Sequence, residues 1–294
     1  MFYLLGCPMH YGVGDDGLIH SLEYLRNHYS NLKNIDLIPE ISMPEESLRN
    51  LRNLNSVIAT CTAIAEKEYT VLTNGKTPLF IAGDHSAVMG SISASSTYMR
   101  ETMQEDMGLI WVDAHPDINT EATTVSGNIH GMPVAACLGM GEPKLTQFLS
   151  DHPKLKPENI VMLGLRDIDP PETEFLKNLH IKHYTYDDIL SQGLENCLAE
   201  SCHYLSHLKG VHLSFDIDSM DPALMPGVSV PVKKGFTKED VFQIFEIYLK
   251  KLPIIAYDIV EFNMEHDINQ KTSDFLSELV DYIICRDAEA CGKS

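Results

Sequence analysis

Gly108-Leu109-Ile110-Trp111-Val112-Asp113-Ala114-His115-Pro116-Asp117 is the stretch that decides the fold. Its first half is short, apolar and without alternation, which suits a strand buried on both faces of a parallel sheet. Its second half sets Asp113, His115 and Asp117 at every second position, so on an extended backbone their side chains point the same way. Chemistry is therefore expected at the C-terminal end of this strand, where open α/β sheets keep their ligands.

Working outward, apolar β-branched runs recur at Phe2 to Leu5, Ile35 to Ile38, Leu79 to Ala82, Leu109 to Val112, Ile160 to Leu165, Ile181 to Tyr184, Val211 to Phe215 and Ile254 to Ile259. Helix-period segments lie between most of them: Glu45 to Leu72, Ala87 to Met103, Leu194 to Leu208, Lys238 to Lys250 and Ser273 to Cys285. That alternation predicts a three-layer α/β/α architecture. No repeat, low-complexity tract or Pro/Gly/Ser-rich linker interrupts it, so residues 1–294 are expected to form one domain. Two segments, Pro116 to His130 and Met220 to Gly235, are too long for plain connectors and are expected to be functional loops.

With 294 residues, 44% of them hydrophobic, the chain can bury a large core without disulfides. Its seven cysteines form no CxxC pair and are odd in number, which fits free thiols in a reducing compartment. No export signal or run of 18 apolar residues is present. A cytoplasmic location is therefore expected. A formal charge of −20 argues against nucleic acid or an anionic membrane as partner and is compatible with a cationic small molecule.

Three strand ends carry compact ligand clusters: Gly83-Asp84-His85-Ser86, then Asp113-x-His115-x-Asp117, then Asp216-Ile217-Asp218 with Asp221-Pro222 beyond. The candidate metal ligands are His85, Asp113, His115, Asp117, Asp216 and Asp218. Four carboxylates at one sheet edge repel unless cations neutralise them, and two divalent ions match their charge. Oxygen-rich ligation with some imidazole and no thiolate points to manganese rather than structural zinc.

These segments resemble the ureohydrolase superfamily and, within it, the arginases. The resemblance extends through Ser126-Gly127-Asn128-Ile129-His130-Gly131-Met132-Pro133, Gly164-Leu165-Arg166-Asp167-Ile168-Asp169-Pro170 and Val260-Glu261-Phe262-Asn263. It implies a central eight-stranded parallel sheet and two Mn2+ ions per chain. One ion would be held by His85, Asp113, Asp117 and Asp216, the other by His115, Asp113, Asp216 and Asp218, with Asp113 and Asp216 bridging. It also implies hydrolysis of L-arginine to L-ornithine and urea by a hydroxide shared between the ions, and a homotrimer.

By the same resemblance, Asn119, Thr124, Ser126 and Asn128 would receive the α-carboxylate of the substrate. Asp169, with Glu172 nearby, would receive its α-ammonium, and Glu261 would pair with its guanidinium. Asp117 would carry a proton to the leaving nitrogen, and His130 would exchange protons with solvent.

One turn departs from the arginase pattern. Pro226-Gly227-Val228-Ser229-Val230-Pro231 stands where arginases carry Thr-Gly-Thr-Pro, so two hydroxyls near the guanidinium are missing, and a formimidoylglutamase is the alternative. Other classes fit less well: a zinc deacetylase has fewer aspartates, no G-x-S-x-G elbow occurs, and a non-enzymatic regulator would lack the two ions.

Overall fold

Alternation along the strands sorts the core onto two faces of a sheet. In the strand Gly108–Val112, Leu109 and Trp111 pack with Phe80, Ile64 and Ile92, while Ile110 and Val112 pack on the opposite side with Leu213, Phe215 and Phe245. The computed structural model describes residues 1–45 and 50–291, with side chains as far as residue 286. The strands are β1 (Phe2–Cys7), β2 (Asp36–Leu37), β3 (Thr77–Ala82), β4 (Gly108–Val112), β5 (Ile160–Leu165), β6 (Lys182–Thr185), β7 (Val211–Asp216) and β8 (Ile254–Val260). They form one all-parallel sheet in the order β2-β1-β3-β8-β7-β4-β5-β6. Every expected strand is present, the second reduced to two residues at the sheet edge.

The helices are α1 (Ser21–His28), α2 (Leu54–Thr73), α3 (Val88–Tyr98), α4 (Pro133–Cys137), α5 (Pro143–Thr146), α6 (Pro170–Asn178), α7 (Tyr186–Gln192), α8 (Leu194–Leu205), α9 (Lys238–Lys251) and α10 (Lys271–Cys291). The helix expected from Glu45 begins only at Leu54, because Asn53 takes a left-handed conformation (φ 54°) that ends helical continuity there. Residues 46–49 of that expectation lie outside the described residues. The segment expected as one helix to Met103 is α3 followed by a π-turn over Met99–Met103. Helices α1 and α4 to α7 escaped the periodicity reading because each is shorter than the window that reveals a period. No helix among the described residues is long and apolar enough to cross a membrane, and the six described cysteines are free thiols.

The strand order positions the site. β3 and β4 are consecutive in the chain, yet β8 and β7 stand between them. The segments leaving β3, β8, β7 and β4 therefore meet at one edge.

A polar network crosses the same core away from that edge. Ser91 Oγ donates to Asp258 Oδ1 (2.6 Å), Asp258 Oδ2 lies 2.5 Å from His212 Nε2, and His212 Nδ1 lies 3.0 Å from Ser95 Oγ. Glu68 on α2 is fully buried, and neither of its carboxylate oxygens has a hydrogen-bond partner. Burial, aided by the Asp258 charge, raises its pKa well above the ordinary carboxylate range. The folded chain thus keeps a proton that the unfolded chain releases above about pH 4.5, so this group's contribution to stability falls as pH rises. Glu68→Gln removes that dependence. Denaturant titrations at pH 5.5 and 7.5 are expected to show the variant gaining on the parent by up to about 1.4 kcal/mol per pH unit, and parallel pH profiles for the two would contradict it.

Candidate active site

The segment after β3 is fixed by close backbone passage. A Cβ on Gly83 would stand 1.8 Å from the Met9 carbonyl oxygen, so only glycine lets these chains meet. Asp84 N donates to Met9 O (2.7 Å), and the Asp84 carboxylate accepts from Ser86 N (2.9 Å) and Gly12 N (2.8 Å). This capped turn aims His85 inward. Its ring stacks on Trp111, with centroids 4.0 Å apart and planes within 5°. His85 Nε2 lies 3.0 Å from Ser214 Oγ. Nδ1 consequently faces Asp113 Oδ2 (3.0 Å), Asp216 Oδ2 (3.0 Å) and Asp117 Oδ2 (3.3 Å).

The end of β4 supplies the second half. Asp113 is wholly buried, and its Oδ1 accepts from His115 N at 2.6 Å. His115 Nδ1 lies 3.0 Å from Asp218 Oδ2 and 3.5 Å from Asp113 Oδ1. Two triplets of ligand atoms result, His85/Asp113/Asp216 and Asp113/His115/Asp218, each with its atoms within 4.8 Å of one another. Asp113 belongs to both. Asp216 falls in the first alone, and its Oδ1 accepts from Asp218 N at 2.7 Å.

Several of these groups are strained or charged against their surroundings. Asp117 and Glu261 hold left-handed backbones (φ 47° and 66°) that are costly for residues other than glycine. Burial and the adjacent Asp113 push Asp117 up to about 6. Burial, with Asp218 and Asp113 nearby, raises Asp216 well above the carboxylate range, whereas Asp113 is held below it by His115 and His85 in spite of burial. Protein groups alone therefore do not keep all the carboxylates ionised. His85 Nδ1 and Asp113 Oδ2 are buried without hydrogen-bond partners, which is the state expected of donor atoms that receive cations. The donor set fits a pair of divalent ions.

Glu261 follows β8. Its Oε1 accepts from His85 N (2.9 Å) and lies 3.3 Å from His130 Nδ1, while Oε2 is buried with no partner. Burial works to lower the His130 pKa, but the Glu261 carboxylate outweighs it and lifts that imidazole to about 9.

A cavity of ≈ 280 Å³ opens from the cluster, lined by His115, Asp117, Asn119, Thr124, Ser126, Asn128, His130, Asp169, Glu172 and Val230 among others. Every residue expected to touch substrate except the buried Glu261 is in that lining. Thr124 Oγ1 accepts from Gly127 N (3.0 Å) and Ser126 Oγ from Asn128 N (3.1 Å), so each hydroxyl hydrogen remains free to donate. Asn119 Nδ2 donates to Asp169 Oδ2 at 3.0 Å. Glu172 differs from the others: its oxygens accept from Ile118 N (3.1 Å) and Asp169 N (3.0 Å), closing the capping box of α6. Burial pushes Glu172 up to about 8 against those two bonds.

The sequence reading assigned no role to Trp111, Ser214 or Arg166. Trp111 and Ser214 orient His85. Arg166, half-buried, donates to the carbonyls of Asp218 (2.7 Å), Val232 (3.1 Å), Lys233, Gly164, Ser219 and Met220 (each 3.2 Å), tying the long loop after β7 to β5. Arg166 was visible inside a motif, but nothing in the sequence showed that its partners would be backbone carbonyls. The Ser214 contact yields a prediction. Removing the group that fixes the ring in Ser214→Ala is expected to weaken cation binding at the His85 triplet by about tenfold or more, read by metal-ion titration; unchanged affinity would separate Ser214 from that role.

A doubly wound parallel sheet with a carboxylate–imidazole cluster and a cavity at its strand ends defines an α/β enzyme. The family described as "Arginase family" matches residues 2–285. Arginase from Bacillus subtilis (strain 168) is 34% identical over 293 residues, covering 96% of both chains, and arginase from Bacillus caldovelox is 36% identical over 258 residues, covering 87% of this chain and 85% of that one. The crystal structure of the Bacillus subtilis arginase superposes with a TM-score of 0.86 at 33% identity, covering 96% of this chain and 98% of that one. The chain belongs to the arginase family, and with it to the ureohydrolase enzymes.

Proposed function

We propose that this enzyme hydrolyses L-arginine to L-ornithine and urea, using two Mn2+ ions per chain and a single catalytic domain over residues 1–294. The observation that carries the reading is one cavity that reaches His115 of the paired ligand triplets, and Asp117 beside them, at one end and a loop of free hydroxyl and amide donors at the other. His85, Asp113, Asp117 and Asp216 would hold one ion, and Asp113, His115, Asp216 and Asp218 the other. A bound pair of divalent cations lowers the pKa of a shared water and so supplies hydroxide near neutral pH.

The chain's own groups then position the substrate and move protons. Glu261 Oε2, buried and unpartnered, accepts guanidinium N–H and turns the guanidinium carbon toward the ligand cluster. Its Oε1 is already fixed by His85 N, so the carboxylate does not rotate away. Asp117, on the cavity wall beside the ligand cluster, would pass a proton to the departing nitrogen. His130, on the cavity wall, exchanges protons with solvent. At the other end Thr124, Ser126 and Asn128 donate to the α-carboxylate and Asp169 accepts from the α-ammonium. Asn119 orients Asp169, and Glu172 holds the Asp169 and Ile118 backbones. The family resemblance supports a cytoplasmic homotrimer.

The test is product formation from L-arginine, agmatine and N-formimidoyl-L-glutamate after loading with Mn2+. Urea from L-arginine at the highest kcat/KM is expected. Absence of urea from protein carrying two ions overturns the proposal. Formamide from N-formimidoyl-L-glutamate would favour the second reading, which rests on the apolar turn: Val230 lines the cavity where arginases have a hydroxyl. A formimidoylglutamase from Bacillus subtilis superposes with a TM-score of 0.75 at 17% identity, a likeness of fold alone. If the substrate is L-arginine, Val230→Thr adds a hydrogen-bonding group worth about 1 kcal/mol, and KM for L-arginine is expected to fall by about fivefold. A KM that stays constant or rises would assign Val230 no part in guanidinium binding.

A further inference from the structure

The cavity lining carries more carboxyl groups than basic ones, the His115 and His130 imidazoles being the bases among the described residues. Asp117, Asp167, Asp169 and Glu172 line it, and among the described residues no lysine or arginine does. Such a lining suits a guanidinium and opposes a carboxylate, yet the reading above places the substrate's α-carboxylate at Thr124, Ser126 and Asn128. Neutral donors there must work beside Asp167 and Asp169 in a chain of net charge −20.

A cation stands just outside that lining. The segment before α2 grips the 119–131 loop from behind: Asn50 Nδ2 donates to Glu121 O (2.9 Å), and Arg52 N donates to Gly127 O (3.0 Å). The exposed Arg52 guanidinium then donates through Nη1 to Asn128 Oδ1 at 3.1 Å. Two consequences follow. The bond takes up the oxygen end of the Asn128 amide, leaving its NH₂ as the end that donates to a ligand. It also fixes a permanent positive charge one side chain away from the loop that receives the carboxylate.

We infer that Arg52 is a specificity-determining residue that makes this enzyme select α-amino-acid substrates over their decarboxylated analogues. It acts by orienting Asn128 and by offsetting the acidic lining at the carboxylate end of the cavity. The inference rests on the reading that the loop receives a carboxylate. Its charge lies at the solvent edge, so salt weakens it.

The test compares L-arginine with agmatine, which has the same guanidinium and no carboxylate, in the Mn2+-loaded parent and in Arg52→Gln, Arg52→Ala and Arg52→Lys. Agmatine is followed as a substrate or as a competitive inhibitor. Arg52→Gln and Arg52→Ala are expected to raise KM for L-arginine by about fivefold with kcat held. Agmatine KM or Ki is expected to stay level, and Arg52→Lys to recover most of the loss at low ionic strength. Equal losses on both ligands, or no loss on either, overturn the inference, since a merely structural role would affect both alike. A parent enzyme that binds agmatine as well as L-arginine would overturn the carboxylate reading itself.

Discussion

Asp113→Asn is expected to lower urea formation from L-arginine by about 10³-fold or more and to strip the chain of both cations instead of one. Among the described residues, Asp113 alone belongs to both ligand triplets. It is wholly buried, and its Oδ2 has no hydrogen-bond partner. Asparagine keeps the volume but replaces an anionic oxygen with an NH₂ that repels a cation. The loss therefore combines a missing ligand, a missing charge and a misplaced donor, and cations that activate water supply several kcal/mol of transition-state stabilisation. His115→Ala, which disturbs one triplet, should leave about one ion per chain. Elemental analysis after dialysis reads both outcomes, and two ions retained by the Asp113 variant would show that this carboxylate does not bridge.

Glu261→Gln is expected to cost about 10²- to 10³-fold in kcat/KM for L-arginine while leaving the cations in place. Glutamine retains an oxygen to accept from His85 N, so the local fold survives. At the other position an amide NH₂ replaces Oε2 and faces the N–H groups of a guanidinium, where a charge-assisted pair becomes a donor–donor clash. A second readout comes from the neighbouring imidazole. The Glu261 carboxylate is what lifts His130 to about 9, so without it burial prevails and the His130 pKa should drop toward or below its ordinary value. Titration of the His130 ring by NMR in the two proteins measures that fall. An unchanged His130 titration, or unchanged kcat/KM, would remove Glu261 from its assigned place.

Much of this was legible because the informative residues sit where short, unbroken apolar runs stop. Val112 ends an apolar run and Asp113 follows, so strand, sheet edge and ligand cluster were read from one segment. The distribution of side chains between the two faces of β4 bears out the both-faces-buried reading. What escaped has physical reasons. Glu172 occupies the N3 position of a helix begun by Asp169-Pro170-Pro171, a start signal overshadowed by the motif around it. Ser214 is a lone polar residue in a buried strand, and only the fold brings it to His85. The left-handed backbone of Glu261 carries no sequence mark, since such geometry is ordinarily signalled by glycine, asparagine or aspartate, and an aspartate such as Asp117 is only a weak signal. Arg52 lies well upstream of every ligand motif, and its link to Asn128 exists only in three dimensions.

The position of β7 and β8 between β3 and β4 has a consequence for how the enzyme is made. As the polypeptide leaves the ribosome, His85 and Asp113 emerge early, on two half-sheets that share no hydrogen-bonded ladder. The strands that join them are the last to be synthesised, and they bring Asp216, Asp218 and Glu261 with them. Completion of the ligand cluster and closure of the sheet are thus one event.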